Sequence, residues 1–79
     1  MKAIYIEKYR QIVLKIAYYR KLRGMTQEQL AEAIGMSTVF ISHVEAPNID
    51  RTVSLGTLFA IAEVLDVPIY KFFLFDEDI

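Results

Sequence analysis

Residues 26–45, TQEQLAEAIGMSTVFISHVE, hold two helix starts and one helix stop within a single short stretch. Thr26 is a good N-cap, and Gln29 three positions later completes a capping box, in which each side chain satisfies the other residue's backbone N–H. Leu30, Ala31 and Ile34 give this helix its apolar face. Gly35 stops it, because glycine enters a left-handed turn without steric cost. Ser37 caps another helix that runs to about Glu45, and Pro47 forbids its continuation. Two helices joined by so short a turn, Gly35-Met36-Ser37, cross at a large angle, and the second projects from the body. Ala31 is small where the two backbones approach. Ile41 and Val44 anchor the second helix from behind, which leaves Thr38, Val39, Ser42 and His43 on its free face.

The rest of the chain must supply a core for this unit. A first helix is expected over roughly Glu7 to Arg23, with Tyr9, Ile12, Ile16 and Tyr19 at helical spacing and Val13 and Ala17 beside them. Gly24 ends it, and Arg20, Lys21 and Arg23 suit the negative end of its dipole. Ala3 to Ile6 either extend this helix or form an extended arm. PNIDRTVS reads as a loop. Ser54 caps a fourth helix to about Leu65, apolar nearly all round and so expected at the centre. Pro68 starts a short fifth helix, IYKFF, and the acidic FDEDI is expected to fray. The expected fold is all-α: one compact five-helix domain over residues 1–79, with an N-terminal extension at 1–8, the two-helix unit at 26–45 and an acidic tail at 76–79.

Composition narrows the function. The chain has 79 residues and no cysteine, so it offers no disulfide framework and no thiolate site. His43 is the lone histidine and has no second ligand at metal-binding spacing; no metal, cofactor or small-molecule ligand is expected. No paired nucleophile and base and no phosphate-cradling glycine loop appear, so there are no catalytic residues to name and no enzyme is expected. No apolar run approaches the ~20 residues of a membrane span. The start, MKAIYIEKY, does not read as a secretory signal, and a cytoplasmic location is expected. Net charge is −1, but it is unevenly spread. Residues 1–25 carry seven basic side chains against Glu7, whereas residues 63–79 carry five acids against Lys71. Hydrophobic residues reach 54%, high for so small a chain, and some of that surface is expected to face another subunit.

Arg20, Met25-Thr26-Gln27, Leu30-Ala31, Gly35, Ser37, Ile41 and Glu45, followed by LFAIAEVLDVPIYKFF, together resemble the Cro/C1-type (XRE) family of helix-turn-helix, lambda-repressor-like DNA-binding domains. The resemblance spans about residues 9–75 and keeps the order of all five helices. It implies a transcriptional regulator, expected to be a repressor, that binds double-stranded DNA as a homodimer on a palindromic operator. On that reading Thr38, Val39, Ser42 and His43 face base edges in the major groove. Thr26, Gln27, Ser37, Asn48, Arg51 and Thr52 approach phosphates. Arg20 and Glu45 form a structural ion pair, and Ile69, Phe72, Phe73 and Phe75 form the dimer interface.

The sequence departs from the family pattern in three places. Met25 to Asp50 contains no lysine or arginine but four acids, Ala46-Pro47 replaces a commonly basic or polar residue and glycine, and Val39-Phe40 occupies a usually polar turn. Phosphate contacts then fall to helix ends, to the basic end of the first helix and to Arg51. Val39 either meets a thymine methyl or packs beneath its helix beside Ala31. Phe40 is expected in the core or against a partner. The alternative is a protein-interaction module on the same fold, such as an antitoxin neutralising a toxin, for which the acidic middle and apolar C-terminus argue.

Overall fold

A computed structural model describes residues 2–46 and 52–75. Helix α1 (Ala3–Leu22) is followed by α2 (Gln27–Ile34), α3 (Thr38–Glu45), α4 (Leu55–Leu65) and a 3-10 segment, Ile69–Phe73. Among the described residues no strand forms. The fifth element is therefore a 3-10 helix, and the α-helices number four among these residues. Its turn is closed by the Lys71 N–H on the Pro68 carbonyl, 3.0 Å away. Only Phe72 is buried in it, as fits a segment too short to bury a continuous face.

Helix α1 begins earlier than Glu7 and takes in Ala3 to Ile6. No side chain caps it; the carbonyl of extended Lys2 accepts from the Tyr5 and Ile6 N–H groups instead. Tyr5 and Tyr9 line a groove with Phe73 and Phe75, so the added turn lies against the C-terminal segment. Tertiary packing supports a helix start that has no local signal. At 20 residues α1 is ~30 Å long, close to the 32 Å longest dimension of the molecule.

Three helices end alike. After α1, the Gly24 N–H donates to the Lys21 carbonyl and the Met25 N–H to that of Arg20. After α2, Gly35 and Met36 donate to Glu32 and Ala31; after α4, Asp66 and Val67 donate to Glu63 and Ala62. These are Schellman closures, and each needs a left-handed residue. Gly24 and Gly35 supply it at φ +71° and +72°, and Asp66 at +54°.

The core centres on Ile16, Leu30, Ile41, Leu58, Ile61, Leu65 and Phe72, all fully buried. Helix α2 packs on α3 and α4, while α1 packs on α3, α4 and the 3-10 segment. Helix α4 is less central than its composition suggests. Leu58, Ile61, Ala62 and Leu65 are buried, but Leu55 and Phe59 on its other side are exposed. Arg23 serves a helix other than its own: its Nε and Nη2 donate to the Leu65 and Asp66 carbonyls, at 2.7 and 3.0 Å, at the negative end of α4.

Candidate nucleic-acid interface

The two-helix unit is built by its caps. Thr26 Oγ1 accepts from the Gln29 N–H at 3.0 Å, and Gln29 Oε1 accepts from the Thr26 N–H at 2.8 Å. Ser37 Oγ accepts from the Phe40 N–H at 3.1 Å and starts α3. Gly35 carries the turn between them; a Cβ there would meet no neighbour, so only its backbone conformation asks for glycine.

Helix α3 turns Ile41, Val44 and Glu45 inward. Phe40 is half-buried against the core, as expected. Thr38, Val39 and Ser42 are exposed and His43 is half-buried. The helical repeat aligns Thr38 with Ser42 and Val39 with His43. Val39 is 63% exposed, so it projects outward and does not pack beneath the helix beside Ala31. The four residues named as base-facing thus share one accessible face of small polar groups, one imidazole and one branched methyl pair. These groups can exchange hydrogen bonds with base edges and touch a thymine methyl.

A buried charge network holds this face in place. The Arg20 Nε donates to Glu45 Oε2 at 2.7 Å, and Nη2 donates to Oε1 at 2.9 Å, a bidentate pair. Arg20 Nη1 donates to the Met25 carbonyl at 2.7 Å, and Gln27 Nε2 reaches Glu45 Oε1 at 3.1 Å. The end of α1, the turn after it, the start of α2 and the end of α3 are tied through one carboxylate and one guanidinium. Gln27, read from the sequence as a phosphate contact, donates an amide N–H to Glu45. Partners 18 residues apart leave no local sequence signal for this role.

The remaining expected phosphate contacts divide. Thr26, Ser37 and Thr52 are exposed; Asn48 and Arg51 lie outside the described residues, as do Pro47 and the tail at 76–79. Thr26 and Ser37 sit at helix starts, where first-turn N–H groups lack intrahelical partners and attract anions. The basic end of α1 contributes less than expected. Arg20 is buried and Arg23 is tied to α4, while Lys21 is exposed. Lys15 lies over the Phe75 ring, 5.5 Å from its centroid.

The residues assigned to a dimer interface also separate. Phe72 is a correction: it is fully buried in the protomer's own core, with its ring edge-on to Tyr19 at 5.6 Å between centroids. A side chain so enclosed offers no surface to a second copy. Ile69 and Phe75 are half-buried against the core, and Phe73 is 39% exposed. Among the described residues no cluster of three or more histidine, cysteine or acidic side chains is placed to hold a metal. No helix among them is long and apolar enough to cross a membrane.

Comparison with known proteins agrees with this geometry. The Helix-turn-helix family model matches residues 16–72. The chain belongs to the helix-turn-helix family. It is 36% identical over 64 residues to an uncharacterised HTH-type transcriptional regulator of Methanocaldococcus jannaschii, covering 81% of this chain and 94% of that protein. It is 38% identical over 53 residues to the control protein C.SmaI of Serratia marcescens, covering 67% of this chain and 61% of that protein. The match takes in the last part of α1, the helix pair, α4 and most of the 3-10 segment. This is a DNA-binding transcriptional regulator of the Cro/C1 type.

Proposed function

We propose that this helix-turn-helix protein represses transcription by occupying a palindromic operator as a homodimer, one α3 in each of two successive major grooves. The observation that carries the reading is the exposed face of Thr38, Val39, Ser42 and His43 on a helix anchored by the buried Arg20–Glu45 pair. One such face without a cation contributes little affinity. Two held roughly 34 Å apart read two half-sites at once.

An apolar surface supports the dimeric part of this reading. Tyr5, Tyr9, Leu55, Leu58, Phe73 and Phe75 line an apolar groove of about 480 Å³ between the start of α1, the start of α4 and the C-terminal segment. Leu55 and Phe59, one helical turn apart, extend the exposed apolar surface beside it. Apolar area of this kind calls for a partner, and a two-fold contact would cover it symmetrically.

Selection of bound sequences from random duplex DNA tests both parts. Enrichment of an inverted repeat with half-sites one helical turn apart is expected. Failure to enrich any sequence at low salt would overturn the reading, and enrichment of a single half-site would overturn its dimeric part. The affinity should fall with salt, but more gently than for a regulator with many lysine–phosphate contacts.

A further inference from the structure

Helix α1 is apolar on two sides. Ile12, Val13 and Ile16 face the core. Ile4, Leu14, Tyr18 and Leu22 do not; each is between 49% and 59% exposed. At 3.6 residues per turn these four fall within an arc of roughly 80° on the side opposite the core residues. Glu7 and Gln11 share that arc between Ile4 and Leu14, so the continuous apolar stripe is Leu14, Tyr18 and Leu22 on the second half of the helix. It is separate from the groove proposed for the second copy, which α1 lines with Tyr5, Lys8, Tyr9 and Ile12.

The stripe has relief and a sign. Gln11, Leu14, Lys15 and Tyr18 enclose a shallow depression of about 230 Å³. Tyr18 is braced edge-on against Tyr19, with centroids 5.0 Å apart. Lys21, exposed, flanks the stripe on one side; Lys15 stands on the other, half-buried, with its ammonium 5.5 Å from the centroid of the Phe75 ring. The single acid of α1, Glu7, is engaged by Arg10 at 3.0 Å.

We propose that this outward face of α1 seats an acidic amphipathic helix of another protein. An apolar ridge with leucine-like side chains at i, i+4 and i+7 would lie along Leu14, Tyr18 and Leu22, with its carboxylates against Lys15 and Lys21. This is the helix-in-groove mode of recognition, with flanking charge setting the choice of partner. Residues 1–25 carry seven basic side chains against one acid, so this face of α1 favours an acidic partner. Three large side chains make a small contact beside the ~800 Å² per partner of a standard interface, so the complex should be transient. A regulator bound at an operator would then carry a handle, away from its own dimer seat, for a second protein.

The test uses the full chain and a designed 20-residue helical peptide carrying a leucine stripe flanked by glutamates. A second peptide has the glutamates replaced by lysines. Fluorescence anisotropy should give saturable binding of the acidic peptide, weakened by raising salt and at least fivefold weaker for the lysine peptide. The variant Leu14→Glu/Tyr18→Glu should lose at least tenfold in affinity while retaining its helical circular dichroism, since both side chains lie outside the core. Equal binding of the two peptides, or undiminished binding by the variant, would overturn the proposal. A change in the oligomeric mass of the variant would overturn it in favour of self-association. Adsorption of the wild type, but not the variant, to phosphatidylglycerol vesicles without peptide binding would overturn it in favour of a membrane surface. The variant's affinity for the selected DNA is expected to be unchanged, so failure here leaves the operator reading standing, and the reverse.

Discussion

The helix pair and the C-terminal segment handle polarity in opposite ways. In the pair, Glu45 of α3 is buried against Arg20 of α1, while Thr38 and Ser42 are exposed beside the surface acids Glu28 and Glu32. In α4 and the C-terminal part, large apolar groups reach the surface: Leu55, Phe59, Tyr70, Phe73 and Leu74 are all partly exposed. A face that must meet DNA keeps hydrogen-bonding groups and avoids apolar excess. A face that keeps exposed phenylalanine and leucine asks for protein. Adjacent Phe72 and Phe73 compress the contrast into one peptide bond, the first wholly enclosed and the second partly bare.

The sharpest way to break this contrast is to truncate its two phenylalanines separately. Phe72→Ala should cost about 3–5 kcal/mol of stability, through lost transfer energy and the cavity left beside Tyr19. Denaturant unfolding would read this; a cost below about 1 kcal/mol would show that the ring is not in the core. Glu45→Ala comes next, with about 3 kcal/mol expected from stranding the Arg20 guanidinium. Its α3 amides should also exchange faster with solvent, while Glu45→Gln should retain part of the network. By contrast, Phe73→Glu should leave the unfolding midpoint nearly unchanged. It should shift the sedimentation mass toward a monomer and weaken operator binding by about 100-fold. Unchanged mass would move the second copy off this surface.

Smaller effects test the turns. Gly35→Ala should cost about 1 kcal/mol from left-handed backbone strain alone, because its new methyl meets open space. Asp66→Gly should stabilise by up to about 0.5–1 kcal/mol, since Asp66 holds the same conformation without glycine's freedom. A thermal melt of each variant checks both signs.

Local chemistry made the helix pair legible in the sequence. A capping box, a glycine and a serine cap lie within a few residues of what they control, so the bounds of α2 and α3 follow directly, while the outward position of Val39 took the structure to decide. Long-range contacts set the rest. The early start of α1 rests on packing rather than a cap. The role of Gln27 depends on a carboxylate 18 positions away, and that of Arg23 on carbonyls 42 and 43 positions away. Hydrophobic pattern could not separate Phe72 from Phe73, nor Leu58 from Leu55, because a 3-10 segment and a helix rich in apolar residues offer no clean stripe. Base and phosphate contacts belong to a complex, and the sequence gives their candidates without their partners.

The Arg20 fork has a kinetic consequence. It donates to Glu45 and to the Met25 carbonyl in the protein alone, so on the proposed reading α3 would meet the duplex already oriented. Encounter then resembles the docking of rigid bodies, with little searching by the helix itself. Changes at Thr38, Ser42 or His43 should therefore leave the association rate nearly constant and appear as shorter residence on the operator.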